Sequence, residues 1–460
     1  ALRSAWDAAV RAPLGKSGAG AAGGFAYTEF GPPGKVVADA VDPALGIREV
    51  RFANGVRLNL KRTELDKGKL LVQLSLDGGE MLDTRAAPLT TEMFQVLTAG
   101  GLGKHSQDEL QSLLAGRSVG GGFSATPETF VSSAQTTPAD LELQLQLMAA
   151  YLTDPGFRAE GEVLYRQSIN NFFAALRATP NSALGNSIGG ILSDGDPRFT
   201  LQPVEDYRKL TFAKLKADLA DRFAKGAIEV GIVGDIDEEA AIAVVAKTLG
   251  ALPPREADFR PYAEQRTRPF TADRSERTIR HTGAPDQAIV RLTWPTRDAE
   301  DPVAALQLDL LQRITQLAIT DTLREKLGKA YSPGVSSDSS RVWRDYGTFT
   351  VSASVDVAEV AATRAAIAET IAELRDKPIP EDLLLRARAP VLDQIDNALK
   401  SNGGWLSLVD RAQTEPDRIE RLLKAKERVT AITAAQLQAL AKRYLAPEAA
   451  VKVVVLPEGK

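Results

Sequence analysis

The sequence predicts an α+β protein of two homologous domains in tandem, each a mostly antiparallel sheet with helices packed on one side. Three observations carry this expectation. The chain has 460 residues, too many for one hydrophobic core. Its 44% hydrophobic and 25% charged content is that of globular domains, which excludes disordered and fibrous classes. A set of elements also recurs in order. LVQLSLDG is matched by AIVRLTWP, FVSSA (130–134) by FTVSA (349–353), the helix 139–152 by 357–374, and IEVGIVGDI by VKVVVLPEG. All four matches fall at a spacing of roughly 220 residues, as a duplicated domain requires.

Residues 1–47 read as a connector: a helical stretch at 2–10, the Gly/Ala-rich GKSGAGAAGG, then the Pro/Gly-rich FGPPGK. Such compositions bury little surface. A chain that opens this way reads as the continuation of something longer. The first α+β domain is expected over 48–256. In it, REVRFANGVRLNLKRTE gives two short strands around Asn54-Gly55, a dipeptide suited to a tight hairpin. LLVQLSLDGG alternates apolar and polar residues, as a half-buried strand does. Residues 88–97 and 107–114 read as helices and 130–135 as a strand. PADLELQLQLMAAYLTD reads as an amphipathic helix with Leu141, Leu145, Met148 and Leu152 on one face. Helices at 159–178 and 211–224, the buried strand GAIEVGIVGDID and a helix at 238–249 complete the domain. The Pro- and Arg-rich stretch 253–269 breaks the pattern. It places a linker at 257–274 and the second α+β domain at 275–460.

Composition narrows the function. The formal net charge is −4 and no long basic run occurs, which argues against nucleic acid as a partner. The absence of cysteine excludes disulfides, thiolate metal sites and a cysteine nucleophile, and leaves the compartment open. No run of about 18 apolar residues exists, so no membrane span is expected. ALRSAWDAAV does not read as a signal peptide, so an export signal would have to lie upstream. Only two histidines occur, His105 and His281, far apart in sequence. A hydrolytic zinc site needs two or three histidines beside a carboxylate. Surface or capping roles are expected for both, His105 between a glycine loop and a helix, His281 in the polar approach to a strand. In GDIDEE, Asp235 and Asp237 immediately precede a helix, which makes capping the expected role rather than metal binding.

One segment carries chemistry. LREKLGKAYSPGV (323–335) leaves a helix end and runs through Gly328 into a strand, with Arg324 and Tyr331 bracketing the turn. A guanidinium and a phenol at such a junction can both donate to one carbonyl or oxyanion. Taken alone, the same residues also fit a surface arginine and a half-buried tyrosine at an ordinary turn.

LREKLGKAYS resembles the signature of the last domain in the pitrilysin/insulinase family of zinc metallopeptidases: Leu or Val, then R-E, then Lys or Arg, then x-G-x-A-Y-S. NGVRL, within 48–60, resembles the sequence that opens each half of that family. The tandem domains, roughly 48–460, correspond to one half. The resemblance implies that Arg324 and Tyr331 bind substrate at its carbonyl, near a zinc held by the other half. The family's H-x-x-E-H motif would fall on PLTTEMFQVLTAGG, at Glu92, Gln95 and Val96, give or take one residue. No histidine stands there, and no acid stands at 170–172, where the downstream glutamate ligand would fall. The resemblance therefore implies no metal site, no cofactor and no catalytic residue in this chain alone. Zinc is expected in a partner half that bears H-x-x-E-H, fused upstream or separate. AGRSVGGGFSATPETFVSSAQ resembles the segment in which a glycine pair leads to an edge strand, which in active halves takes up extended substrate. A flexible hairpin before an ordinary strand is the plainer reading. The implied function is the zinc-free half of a clamshell endopeptidase acting on extended peptides, closing the chamber and supplying Arg324 and Tyr331. The alternative is a non-catalytic scaffold or core subunit of a larger complex. The resemblance also points to a bacterial periplasm.

Overall fold

The structure is a computed structural model that describes residues 24–327 and 333–459. The helix expected at 2–10 lies outside these residues. The first sheet contains β1 (Val36–Val41), β2 (Arg48–Phe52), β3 (Arg57–Arg62), β4 (Leu70–Asp77), β5 (Phe123–Ala125), β6 (Thr129–Thr136) and β7 (Ile228–Gly234), in the order β1-β2-β3-β7-β4-β6-β5. The second contains β8 (Arg277–His281), β9 (Gln287–Thr296), β10 (Gly334–Ser339), β11 (Gly347–Asp356) and β12 (Val451–Pro457), in the order β10-β11-β9-β12-β8. Read from the opposite edge, the second order reproduces the β3-to-β5 part of the first. In each sheet one pair is parallel, β3 with β7 and β8 with β12, and the remaining pairs are antiparallel. The duplicated α+β architecture is therefore present strand for strand.

Asn54-Gly55 turns β2 into β3 as the dipeptide predicts. Gly55 has φ +96°, and its amide donates to the Phe52 carbonyl at 3.0 Å. The stretch expected to be a connector contributes β1, which pairs with β2. Farther back, the Ala26 amide donates to His105 Nε2 at 2.9 Å, and the Tyr27 hydroxyl donates to Asp154 at 2.6 Å. His105 is consequently buried among Phe25 and Tyr27 rather than on the surface, and Ser106, not His105, caps the following helix. His281 is also buried, with its ring nitrogens bonded to the Gln287 carbonyl and the Gly283 amide. Both histidines serve the backbone of turns that other segments cover.

Each sheet buries one apolar face against its own helices. In the first half Leu58, Leu74, Phe130 and Val230 meet Leu145, Met148 and Leu219. In the second half Val290, Trp294, Phe349 and Val351 meet Leu311, Ile314, Ile367 and Leu437. The opposite faces are exchanged. Helix Pro180–Leu192, from the first half, lies on β8, β9 and β12 through Ala183, Leu184 and Leu192. Helix Asn402–Val409, from the second half, lies on β3, β4 and β7 through Leu408 and Val409. This exchange changes the reading of β4. Its alternate positions are not half-exposed to water: Ser75 is buried beneath the second half, donating to Asp410 at 2.9 Å, and Asp77 is buried against Arg222, the Arg260 amide and Tyr262.

Candidate functional site

The expected site lies at the end of the 26-residue helix Pro302–Leu327. Pro302 fits the first helical position because it has no amide to satisfy, and Asp301 accepts the Val303 and Ala304 amides at 2.9 and 3.2 Å. Leu308, Leu311, Ile314, Ile319 and Leu323 are buried, which fixes the helix against its own half. Arg324 follows the last of these anchors. Its side chain is 71% exposed, and its nearest acid, Asp321, stands 3.9 Å away. A contact so exposed and so long holds the guanidinium only weakly, and it is the one ion pair of Arg324 among the described residues. Gln316 donates to the Pro333 carbonyl and accepts the Val335 amide, both at 2.8 Å, and Gln312 donates to the Val335 carbonyl at 2.7 Å. The helix thereby fixes the start of β10. Tyr331 lies outside the described residues.

The positions that would carry a zinc motif sit on a 3-10 helix, Glu92–Gly100, rather than on the α-helix expected at 88–97. Glu92 accepts from Gln95 at 2.9 Å, and Val96 offers no donor atom. On the neighbouring helix Ala159–Ala174, Asn170 accepts from Arg208 at 2.9 Å. One carboxylate, two amides and an aliphatic side chain do not fit zinc. Among the described residues no group of three His, Cys, Asp or Glu side chains is placed to hold a metal ion. In GDIDEE, Asp237 accepts the Ala240 amide at 3.0 Å as a helix cap, and Asp235 accepts the Gly68 amide at 2.9 Å. The glycine-rich stretch does lead to an edge strand, β5. Gly121 has φ +106° there, and a Cβ would strike the Ser133 carbonyl oxygen at 2.4 Å.

Sequence reasoning missed a cleft of about 340 Å³ between the halves. Glu80, Asp83 and Glu92 line it from the first half, and Trp343 from the second. Asp83 accepts from the Thr91 amide and hydroxyl, both at 3.0 Å. Burial nevertheless pushes its carboxyl up to about 7, with Glu80 and Glu92 adding to the shift. Burial also raises Glu92, and raises Glu80 although part of that residue reaches solvent.

These features coincide with a peptidase class. Residues 209–391 match the family model described as the peptidase M16 inactive domain. The chloroplastic stromal processing peptidase of Arabidopsis thaliana is 21% identical over 466 residues, covering 90% of this chain and 36% of that protein. The chain spans about a third of the length of the curated relatives it matches. Among solved structures, the periplasmic protease PqqL from Escherichia coli superposes with a TM-score of 0.77 at 16% identity, covering 94% of this chain and 47% of that one. A peptidase M16 inactive domain from Pseudomonas fluorescens gives 0.71 at 18%, covering 90% and 98%. The structural likenesses show the fold. With the family match, they establish the resemblance to M16 metallopeptidases of the pitrilysin/insulinase kind, with residues 209–391 matching the domain described as inactive.

Proposed function

We propose that this chain is the zinc-free half of a two-half metalloendopeptidase that cleaves extended peptides. A half bearing H-x-x-E-H, fused or separate, holds the zinc, and a peptide is the shared substrate. The observation that carries this reading is the sequence LREKLGKAYS, whose first residues end a packed helix, with Arg324 exposed and, among the described residues, paired only at 3.9 Å with Asp321. In this role Arg324 and Tyr331 donate hydrogen bonds to the scissile carbonyl and to the oxyanion that replaces it. Neither residue holds metal, and this chain alone is inactive. A bacterial periplasmic location accompanies the proposal; the relatives' own compartments differ, periplasm for one and chloroplast for the other.

The test is steady-state cleavage of a quenched peptide by the assembled enzyme. Tyr331→Phe should lower kcat by about a hundredfold, hold KM within a few-fold and leave zinc content unchanged, because the lost bond is stronger in the transition state. Arg324→Ala should act alike, with some loss of peptide binding, since a guanidinium also grips ground-state carbonyls. Full activity in both variants, with unchanged melting, would replace this reading with the scaffold.

A further inference from the structure

Helix Phe212–Lys225 buries Phe212, Leu215, Leu219 and Arg222. A helix buried on one face ordinarily carries polar and charged residues elsewhere. On one flank of this helix, however, Ala220, Phe223 and Ala224 stand three and four residues apart, Ala220 and Ala224 exposed and Phe223 half-buried. Together with Pro155, Phe157 and Pro253 they form a groove of about 440 Å³. Arg255 also lines it but is committed to the Phe223 and Gly226 carbonyls at 2.9 and 3.1 Å, so the surface on offer is largely apolar. Lys216, exposed in the groove wall, stands 5.7 Å from the Phe157 ring and forms no ion pair among the described residues.

The chain carries a segment that suits this groove. Its first described residues are anchored at the groove's edge. The Tyr27 hydroxyl donates to Asp154 at 2.6 Å, and the residues on either side of Asp154, Thr153 and Pro155, line the groove. Farther back in sequence, Leu2, Ala5, Trp6, Ala9 and Val10 fall at the spacing of one helical face, the pattern of anchors by which an amphipathic helix fills an apolar groove. Asp7 flanks that stripe and is opposite in charge to Lys216. Residues 11–24 join the stripe to the anchored part, and a Gly/Ala-rich stretch of that length spans about 20 Å. The groove is shorter than that, since Lys216 and Ala224 are about 12 Å apart along their helix.

We infer, independently of the peptidase reading above, that residues 2–10 of this chain lie in the groove as an amphipathic helix, with Leu2, Trp6 and Val10 turned into it and Asp7 beside Lys216.

The test is disulfide trapping in the 460-residue chain, which has no cysteine of its own. One variant carries Ala9→Cys and Ala224→Cys, with residue 9 on the stripe. The other carries Ser4→Cys and Ala224→Cys, with residue 4 on the opposite face of the same helix. Ala224 is exposed, so a cysteine there leaves the fold intact. Under mild oxidation, followed by intact mass, the Ala9→Cys pair should close about tenfold faster than the Ser4→Cys pair, the factor that burying one large apolar side chain supplies. A segment that is only tethered nearby would close both pairs at the same rate, because closure depends weakly on loop length. Adding Trp6→Asp to the Ala9→Cys pair should remove the advantage by setting a charge against an apolar wall. Equal rates for the two pairs, or an advantage that survives Trp6→Asp, overturn the inference. So do disulfides that form between chains instead of within them, which would give the groove to a second copy, and failure of both pairs to close, which would give it to a different partner.

Discussion

The two halves cover each other's sheets in the same way, each through an apolar helix, but the contact on the first sheet adds a buried carboxylate network. On the second sheet, helix Pro180–Leu192 buries Ala183, Leu184 and Leu192 against Ile279, Ile289, Val451 and Val453, an apolar contact. On the first sheet, the residues that follow helix Asn402–Val409 descend onto Asn59, Ser75 and Glu229. Glu229, fully buried, accepts from Asn59 at 2.6 Å, the Gln413 amide at 2.8 Å and the Thr414 hydroxyl, with Arg57 at 3.9 Å. One duplicated framework thus joins its copies through an apolar patch alone on one side and an apolar patch beside a hydrogen-bonded carboxylate on the other. Apolar contacts tolerate sliding, whereas a carboxylate with three directed hydrogen-bond donors fixes one register.

The polar contact is where the comparison breaks most easily. Glu229→Ala should cost about 3 kcal/mol, because it leaves the buried Gln413 amide and Thr414 hydroxyl without their acceptor, while Arg57 keeps Asp258 and Asn59 keeps the Val409 carbonyl. Equilibrium urea unfolding, followed by tryptophan fluorescence, reads this loss. A change below about 1 kcal/mol would mean that water replaces the carboxylate without penalty and that the contact is not a fixed one. On the apolar side, Leu184→Ala should cost about 2 kcal/mol, the lower end for a buried leucine, since residue 184 sits at the rim with 8% exposure. The same unfolding experiment checks it. A loss as large as that of Glu229→Ala would erase the difference between the two contacts.

Much of this fold was legible because its central strands are long apolar runs whose order repeats. IEVGIVGDI and VKVVVLPEG become β7 and β12 without ambiguity. Helix Pro180–Leu192 was not legible. Gly185, Gly189 and Gly190 depress its intrinsic propensity, and it forms because Thr179 and Ser182 cap it and the second sheet covers it. The polar alternation of LVQLSLDG was legible as a pattern but not in meaning. A period of two marks two different faces; it does not distinguish water from another domain's polar groups. Of the proposed site, Arg324 stands in a contiguous motif, which sequence reading can find. The cleft was not legible, since Glu80, Asp83 and Glu92 have no motif spacing and meet Trp343 only after both halves have folded.

Asp83 sharpens the same contrast at the smallest scale. Glu229 is a buried carboxylate supplied with donors from both halves, whereas Asp83, among the described residues, has Thr91 as its donor and two acidic neighbours. Its carboxyl, raised to about 7 in the folded chain, holds its proton more tightly than in the unfolded chain, where the ordinary value of 3.8 applies. Between these two values the folded state binds the extra proton, so rising pH removes stability, and the full penalty is present above about pH 7. Asp83→Asn keeps both Thr91 bonds, with the amide oxygen accepting and the amide nitrogen donating, and removes the charge. The variant should therefore be more stable than the parent by about 1 kcal/mol at pH 8, well under the full linkage value because solvent reaches part of the cleft. Near pH 4 the two should melt together. Thermal melts across that range decide the matter. A stabilisation that is constant with pH would assign the gain to packing, and a loss at pH 8 would mean that the Asp83 charge is compensated in the folded chain after all.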